Sequence, residues 1–566
     1  MQETTAEAQR PWLAHYPPGV PQSIDETSRD TIVDLFRNSA TFFRDRPAAE
    51  SFGVRVTYGA LHKHAEEIAI GLQQLGLVKG DRVAIMMPNV MAYPALIFGT
   101  LMAGCVVVNV NPLYTARELT HQLNDSGARV LFVLENFAHT VEEAMPELLT
   151  EMAVIVSPGD LLGAKGVVVN FVSRWIKRNV PGFNLPATVR FPAFLRFARH
   201  WKLQRVEITA DNPAFLQYTG GTTGLAKGAV LLHRNIVANV AQCEAWLRAG
   251  AGERPDHVMI TALPLYHILA LTACCLFVIK IGGCQVLIVN PRDLPTFIKT
   301  IKSVRMTMIV VVNTLANALA SRTDLKDVDF SQLSFCISGG MATQAAVARK
   351  WKDATGHPII EGYGLSETSP VVSVNRLDIT EFTGSIGYPM PSTDVSIRAP
   401  DGSVLPIGTS GELCVKGPQV MSGYWQQPEE TQRAFTADGY FRTGDIGIID
   451  PDGSLRIVDR IKDMIIVSGF NVYPNEVEDV LASHPKVAEA AVVGIPDAYS
   501  GEAVSAYVVP RTPDLTVEEL RLWCRENLTG YKVPRRFEFR ETLPKTNVGK
   551  ILRRELREHP PEKTGA

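Results

Sequence analysis

The sequence predicts an α/β protein: a large N-terminal domain of parallel-rich α/β sheets with a small β-barrel-like subdomain, followed by a small α+β C-terminal domain. Three observations predict it. Short apolar runs alternate with amphipathic helical segments through most of the chain, glycines then punctuate short apolar runs after residue 383, and the alternating rhythm returns from Val472. With 566 residues, 46% of them hydrophobic, the chain has ample material for a buried core and too much for one domain of usual size.

The first clear helix lies over residues 63–75, where Ala65, Ile68, Ala69 and Leu72 recur at helical spacing before Gly76. Arg82 to Met87 then reads as a buried strand. A helix over Tyr93 to Ala103 and a strand over Cys105 to Val110 follow, with further strands at Arg129 to Val133, Met308 to Val312 and Leu333 to Ser338. Strands alternating with helices call for parallel sheets covered by helices. Between Gly384 and Gly453 the glycines separate short apolar runs in the manner of hairpins in a small twisted sheet. The last stretch predicts helices over Pro474 to Ala482 and Thr516 to Asn527, and strands over Glu489 to Val493, Ser505 to Val509 and Arg536 to Phe539.

Several function classes are excluded by composition. The 56 Lys and Arg nearly balance the 59 Asp and Glu, so the chain carries no polyanion signature and nucleic acid is not an expected partner. Eight Cys without a CxxC pair fit buried thiols in a reducing compartment, and the first thirty residues lack the pattern of a signal peptide, so a cytoplasmic placement is expected. The uncharged stretch from Val258 to Ile279 holds Pro264 and His267 and reads as a loop feeding a core helix, and the prolines and asparagines of Ala84 to Ala116 break that stretch too.

Four segments carry chemistry. Tyr218 to Gly228, YTGGTTGLAKG, follows the apolar run Ala214 to Leu216 and gathers glycines, threonine hydroxyls and Lys227 as a phosphate cradle needs. It is not the GxxxxGK[ST] loop, because Ala226 precedes Lys227 and Gly228 follows it. Glu361 to Thr368, EGYGLSET, offers the Tyr363 ring to a purine and Glu367 to a divalent ion. In YFRTGDIG, Asp445 on a tight turn would accept both ribose hydroxyls. In LPKTNVGKILRREL, Lys550 is expected to open a helix kept positive by Arg553, Arg554 and Arg557, where it would neutralise charge developing on a phosphate. No GxGxxG follows a predicted strand, which leaves a dinucleotide-dependent oxidoreductase without an anchor.

These motifs, together with VNPLYTARE (110–118), LPLYH (263–267), SGGM (338–341) and DRIKDMIIVSGFNVYPNEVE (459–478), occur in one fixed order. From about residue 35 to 558 the chain resembles the adenylate-forming acyl-CoA synthetase superfamily, and within it the bacterial long-chain fatty-acid-CoA ligases. The resemblance implies that a fatty carboxylate attacks the α-phosphate of ATP and expels pyrophosphate, and that the thiol of coenzyme A then takes the acyl group. Thr219, Gly220, Gly221, Thr222, Thr223, Gly224 and Lys227 would handle the phosphates, Gly362, Tyr363, Gly364 and Ser366 the adenine side, and Glu367 the Mg2+ ion. Asp445 would hold the ribose with help from Arg460, and Lys550 would bridge carboxylate and α-phosphate. His267, Tyr266, Gly339 and Gly340 would lie along the acyl route.

The resemblance also implies domains: an extension over 1–34, a large domain over 35–458 with its small sheet in 384–458, a hinge at 459–462 and a mobile domain over 463–566. Rotation about Asp459 to Lys462 would remove Lys550 and bring Ser468, Gly469 and Phe470 to the thiol route. It implies a homodimer as well. Because the sequence ends soon after Lys550, no fused carrier domain is expected.

Residues 161–206 contain nine Lys or Arg and no acid, interleaved with large aromatics. Phe194, Phe197 and Trp201 share a predicted helical face from which Arg196, Arg199 and Lys202 turn away. That pattern suits peripheral contact with an anionic membrane, here the inner face of the cytoplasmic membrane, and it also suits a solvated linker with packed aromatics. Activation of a medium-chain, short-chain or aryl acid, loading of a carrier protein, and a nucleotide-binding regulatory protein without turnover are the competing readings.

Overall fold

Helix starts are written in side chains close in sequence. Thr57 caps Tyr58–Gln74 by accepting from the Ala60 amide, which moves that helix start ahead of the predicted residue 63. Thr115 and Glu118 form a reciprocal capping box at Ala116–Ser126, and Thr516 caps Val517–Asn527. The computed structural model describes residues 10–25, 29–186, 188–219, 226–251, 254, 256–497, 499–546 and 549–558.

Two large sheets form the N-terminal domain. The eight-stranded sheet runs in the order Gly423–Tyr424, Lys227–Leu232, Pro213–Thr219, Val106–Val110, Arg82–Met86, Ala128–Leu134, Met152–Val156, Thr188–Arg190. It is parallel from Pro213–Thr219 onward. The nine-stranded sheet is parallel from Ile359–Gly364 through Phe335–Ser338, Met308–Val311, Val258–Thr261 and Cys284–Leu287 to Pro47–Ser51, with antiparallel strands at both ends. Every residue of the helix Ala92–Met102 is buried, as befits a helix that is apolar all round. The small sheet is antiparallel, in the open order Asp394–Arg398, Gly411–Lys416, Phe441–Ile449, Leu455–Arg460.

The C-terminal domain has its own core around Val477, Leu481, Val492, Val504 and Leu520. Its long hairpin, Val487–Asp497 with Gly501–Pro510, is packed by the helices Pro474–Ala482 and Val517–Asn527, and Arg536–Phe539 joins the sheet in parallel.

Three expectations change. Val258 opens a strand rather than a loop, and the run behind His267 becomes a π-helical turn, Ala270–Leu276, continued by Phe277–Lys280. Asp445 sits within the strand Phe441–Ile449, because the RTGD segment pairs across both neighbours instead of turning. Lys550 precedes the helix Arg553–Glu558, since Lys545 bridges Ile551 and the Thr546 amide donates to the Lys550 carbonyl, closing a small loop there.

No described helix is long and apolar enough to cross a membrane. All eight cysteines are free, seven of them buried. Burial pushes the thiols of Cys105, Cys243, Cys275, Cys284 and Cys414 up to about 12, and those of Cys274 and Cys336 higher still.

Candidate active site

In open parallel sheets, ligand crevices form beyond the carboxyl ends of the strands, where backbone groups run out of sheet partners. Three adjacent strands end together here. Met308–Val311 leads to Asn313 and Thr314, Phe335–Ser338 leads to Gly339 and Gly340, and Ile359–Gly364 carries Gly362 and Tyr363. Gly364 is fixed by space: a Cβ there would stand 2.0 Å from the Pro370 carbonyl oxygen. A Cβ on Gly339 or Gly340 would face the Leu269 side chain at 3.5 and 3.8 Å, and that leucine follows Tyr266 and His267 in the opposing segment. Tyr266 is buried, and its carbonyl accepts from Gln217 at 2.9 Å.

The Tyr363 hydroxyl donates to Asp445 Oδ2 at 2.6 Å. Asp445 Oδ1 lies 3.3 Å from Arg460 Nε, directly across the strand pair that sets Asp445 against Arg460, and the Asp445 amide donates to Thr443 Oγ1. Asp445 is thus a buried carboxylate held by two donors in fixed directions.

Glu367 lies buried in the short turn Ser366–Thr368. Burial pushes its carboxyl up, although Tyr424 donates to Oε1 at 2.9 Å. A desolvated carboxylate with so little compensation suits a cation. Among the described residues no group of three or more His, Cys, Asp or Glu could cage a metal, so an ion at Glu367 would draw its other ligands from substrate and water, as Mg2+ commonly does. Lys227 opens the strand Lys227–Leu232 opposite Thr219, is paired with Glu430 and lies 5.7 Å from the Tyr424 ring. Gly220, Gly221, Thr222, Thr223 and Gly224 lie outside the described residues.

The C-terminal domain reaches into this site through Gly549 and Lys550. A Cβ on Gly549 would stand 2.1 Å from Thr314 Oγ1, so only a glycine, at φ +81°, lets this segment seat on the large domain. Burial, then the charges of Arg460 and Lys462, pushes Lys550 down to about 7 against the pull of Asp445 and Asp463. Burial and the charge of Lys550 hold His267 at about 4, so its imidazole is neutral at pH 7. Lys550 therefore stands where Asp445, Arg460 and His267 all sense it, a placement that can put a cation beside an anion as it forms.

Ser468, Gly469 and Phe470 are elsewhere, at the turn between Ile465–Val467 and Phe470–Val472, with Phe470 stacked on Tyr531 at 4.9 Å. Sequence reasoning missed Tyr424, Glu430, Thr314 and Thr443. Tyr424, Glu430 and Thr314 each lie far along the chain from their partners, whereas Thr443 sits two residues before Asp445, inside the RTGD segment itself. The expected face of Phe194, Phe197 and Trp201 is divided: Phe194 is 2% exposed against Phe132 and Phe191, and Arg199 is turned inward to Glu67. The helix Phe191–Ala198 ends before Trp201.

Residues 36–425 match the AMP-binding enzyme family, and residues 476–550 match the AMP-binding enzyme C-terminal domain. The chain is 50% identical over 550 residues to the long-chain-fatty-acid--CoA ligase of Salmonella typhimurium, covering 97% of this chain and 98% of the relative. It is 47% identical over 550 residues to that of Haemophilus influenzae, again covering 97% and 98%. Its fold is similar to an anthranilate CoA ligase solved with anthranoyl-AMP, with a TM-score of 0.81 and 25% identity over 94% of this chain and 97% of that one.

Proposed function

The chain belongs to the AMP-binding enzyme family, and on that premise we propose that it is a long-chain fatty acid:CoA ligase that works through an acyl-adenylate. It is an ATP-dependent acyl-CoA synthetase, with ATP, a fatty acid and coenzyme A as substrates. The observation that carries this reading is the seat of Lys550, from the C-terminal domain, beside Asp445 and His267 of the large one and Arg460 at the expected hinge.

In the mechanism we infer, Thr219 and Lys227 hold the β- and γ-phosphates together with the glycines and threonines of residues 220–224. Gly362, Tyr363, Gly364 and Ser366 form the adenine side, and Asp445, steadied by Tyr363 and Arg460, accepts the ribose hydroxyls. Glu367 would hold Mg2+, which would offset negative charge on the phosphates. Lys550 aligns the fatty carboxylate with the α-phosphate and offsets the charge built up as pyrophosphate leaves. His267, neutral at pH 7, orients the carboxylate end of the acyl chain, with Tyr266, Gly339 and Gly340 along its route.

The second step needs Lys550 removed, so residues 463–566 turn as a body about Asp459 to Lys462, carrying Ser468, Gly469 and Phe470 to the thiol route. The enzyme acts as a peripheral protein on the inner face of the cytoplasmic membrane, and a homodimer is expected in sedimentation.

The test is CoA-dependent AMP formation across acids from C4 to C20. Each buried CH2 adds roughly 0.8 kcal/mol, so a long-chain site should raise kcat/KM steeply with chain length. Activity confined to short or aryl acids would replace the long-chain reading and leave the adenylation chemistry in place. The likeness to a ligase solved with anthranoyl-AMP makes the aryl arm the one to include.

A further inference from the structure

The helix Gly163–Phe171 continues through a π-helical turn at Val172–Ile176, and its polarity is inside out. Two of its polar side chains, Asn170 and Arg174, face the domain: Asn170 Oδ1 accepts from the Gly159 amide at 2.7 Å, while Arg174 meets Glu135 at 2.6 Å and Ser157 at 2.9 Å. Outward stand Val167, Val168, Phe171, Trp175 and Ile176, each at least 56% exposed, with Val167 at 72% and Trp175 at 71%. A surface helix ordinarily turns its apolar stripe to the core and its polar side to water. The reverse here marks a contact surface. The neighbouring turn extends it, since Phe52 is exposed and Lys165 Nζ lies 3.2 Å from where a Cβ on Gly53 would stand.

The charges around the patch select its occupant. Arg174 and Arg190 are spent on Glu135, and Arg199 on Glu67. Lys165, Lys177 and Arg178 form no salt bridge with another described residue, and no acid occurs between residues 161 and 206. A second copy packed symmetrically on this patch would set Lys177 and Arg178 against their own equivalents. Anionic phosphates above an apolar layer satisfy both the cations and the five side chains, and tryptophan favours such a boundary.

We propose that the helix 163–176 is the element that docks this protein on an anionic lipid leaflet, with Val167, Val168, Phe171, Trp175 and Ile176 at the headgroup–acyl boundary and Lys165, Lys177 and Arg178 on lipid phosphates. This rests on the reading that the enzyme is a peripheral membrane protein, and it assigns that contact to a helix other than Phe191–Ala198.

The experiment is flotation of the full chain at low salt with phosphatidylcholine vesicles, with and without phosphatidylglycerol. The parent protein should float only with the anionic vesicles. Phe171→Ser/Trp175→Ser/Ile176→Ser should lower the partition coefficient at least tenfold, and Lys177→Gln/Arg178→Gln about fivefold for each charge removed. Phe197→Ser/Trp201→Ser should float like the parent, and all variants should form acyl-CoA normally from a soluble acid without vesicles. If the parent floats and the helix variants float equally well, the docking element lies elsewhere and only the peripheral reading stands. If the parent floats with neither vesicle, both fall. If the serine variant turns a dimer into a monomer while flotation is unchanged, the patch is a contact between copies and the proposal is overturned.

Discussion

Gly549→Ala isolates the seating of the C-terminal segment on the large domain from everything else that segment does. Two costs follow from the structure. At φ +81° a side chain is strained by roughly 1 to 2 kcal/mol, and that cost stays within the C-terminal domain in either orientation. The second exists only when the segment is seated, because the new Cβ would stand 2.1 Å from Thr314 Oγ1. Forcing a carbon into a filled contact costs about 1 to 3 kcal/mol, or roughly fivefold to more than a hundredfold in the seated population. Adenylate formation should fall by that factor, whereas thioester formation from synthetic palmitoyl-adenylate and CoA should change by no more than about threefold. Thr314→Ala removes the hydroxyl and leaves a neighbour Cβ at 3.3 Å, so the double variant should recover most of the lost adenylation. The assay is pyrophosphate release from ATP and palmitate, run beside thioester formation from the preformed adenylate. A folded Gly549→Ala that adenylates like the parent, or that loses both steps equally, refutes the seating argument.

Lys550→Ala should lower adenylate formation by about a hundredfold or more, measured as pyrophosphate release, while thioester formation from preformed adenylate and ATP affinity by calorimetry change little. The same lysine gives a pH dependence. Unseated, it keeps its proton to near its ordinary value, whereas seated it loses it above about 7, so from pH 7 to 10 the unseated form binds more protons and seating strengthens as pH rises. Interdomain energy transfer in nucleotide-free protein should show that rise, Lys550→Met should abolish it, and ATP binding at pH 8 should draw in protons in the parent alone. Asp445→Asn should weaken ATP use by about 1.5 to 3 kcal/mol, and equal wild-type kcat/KM for ATP and 2'-deoxy-ATP would remove the ribose role.

The site was legible in sequence where function is packed into neighbouring residues. Tyr363 and Glu367 lie in one eight-residue run, and Asp445 and Lys550 each sit in short motifs rich in glycine and charge. Contacts between distant residues left no trace. Tyr424 meets Glu367 across 57 residues and Glu430 meets Lys227 across 203, on a strand and a helix whose local patterns are ordinary. Strand and helix identities follow from periodicity, but Asp445 reads as a turn residue because the glycines around it resemble those of turns, and the pairing partners that make it a strand are distant. The composition of residues 161–206 predicts one shared face for Phe194, Phe197 and Trp201, and the fold divides it, since burial of Phe194 against Phe132 is decided by tertiary packing that no helical wheel contains.

The eight unpaired thiols bear on the selectivity of the chemistry. An acyl-adenylate is a potent acylating agent, and sulfur anions are among its best acceptors. Cys336 lies on the strand that runs out to Gly339, and Cys274 and Cys275 lie in the π-helical turn behind His267, close in sequence to the proposed acyl route. Burial keeps all three protonated at neutral pH, so the protein offers no sulfur nucleophile of its own to the activated acid. Burial thus keeps these core sulfurs from competing with the incoming thiol of coenzyme A for the reactive mixed anhydride.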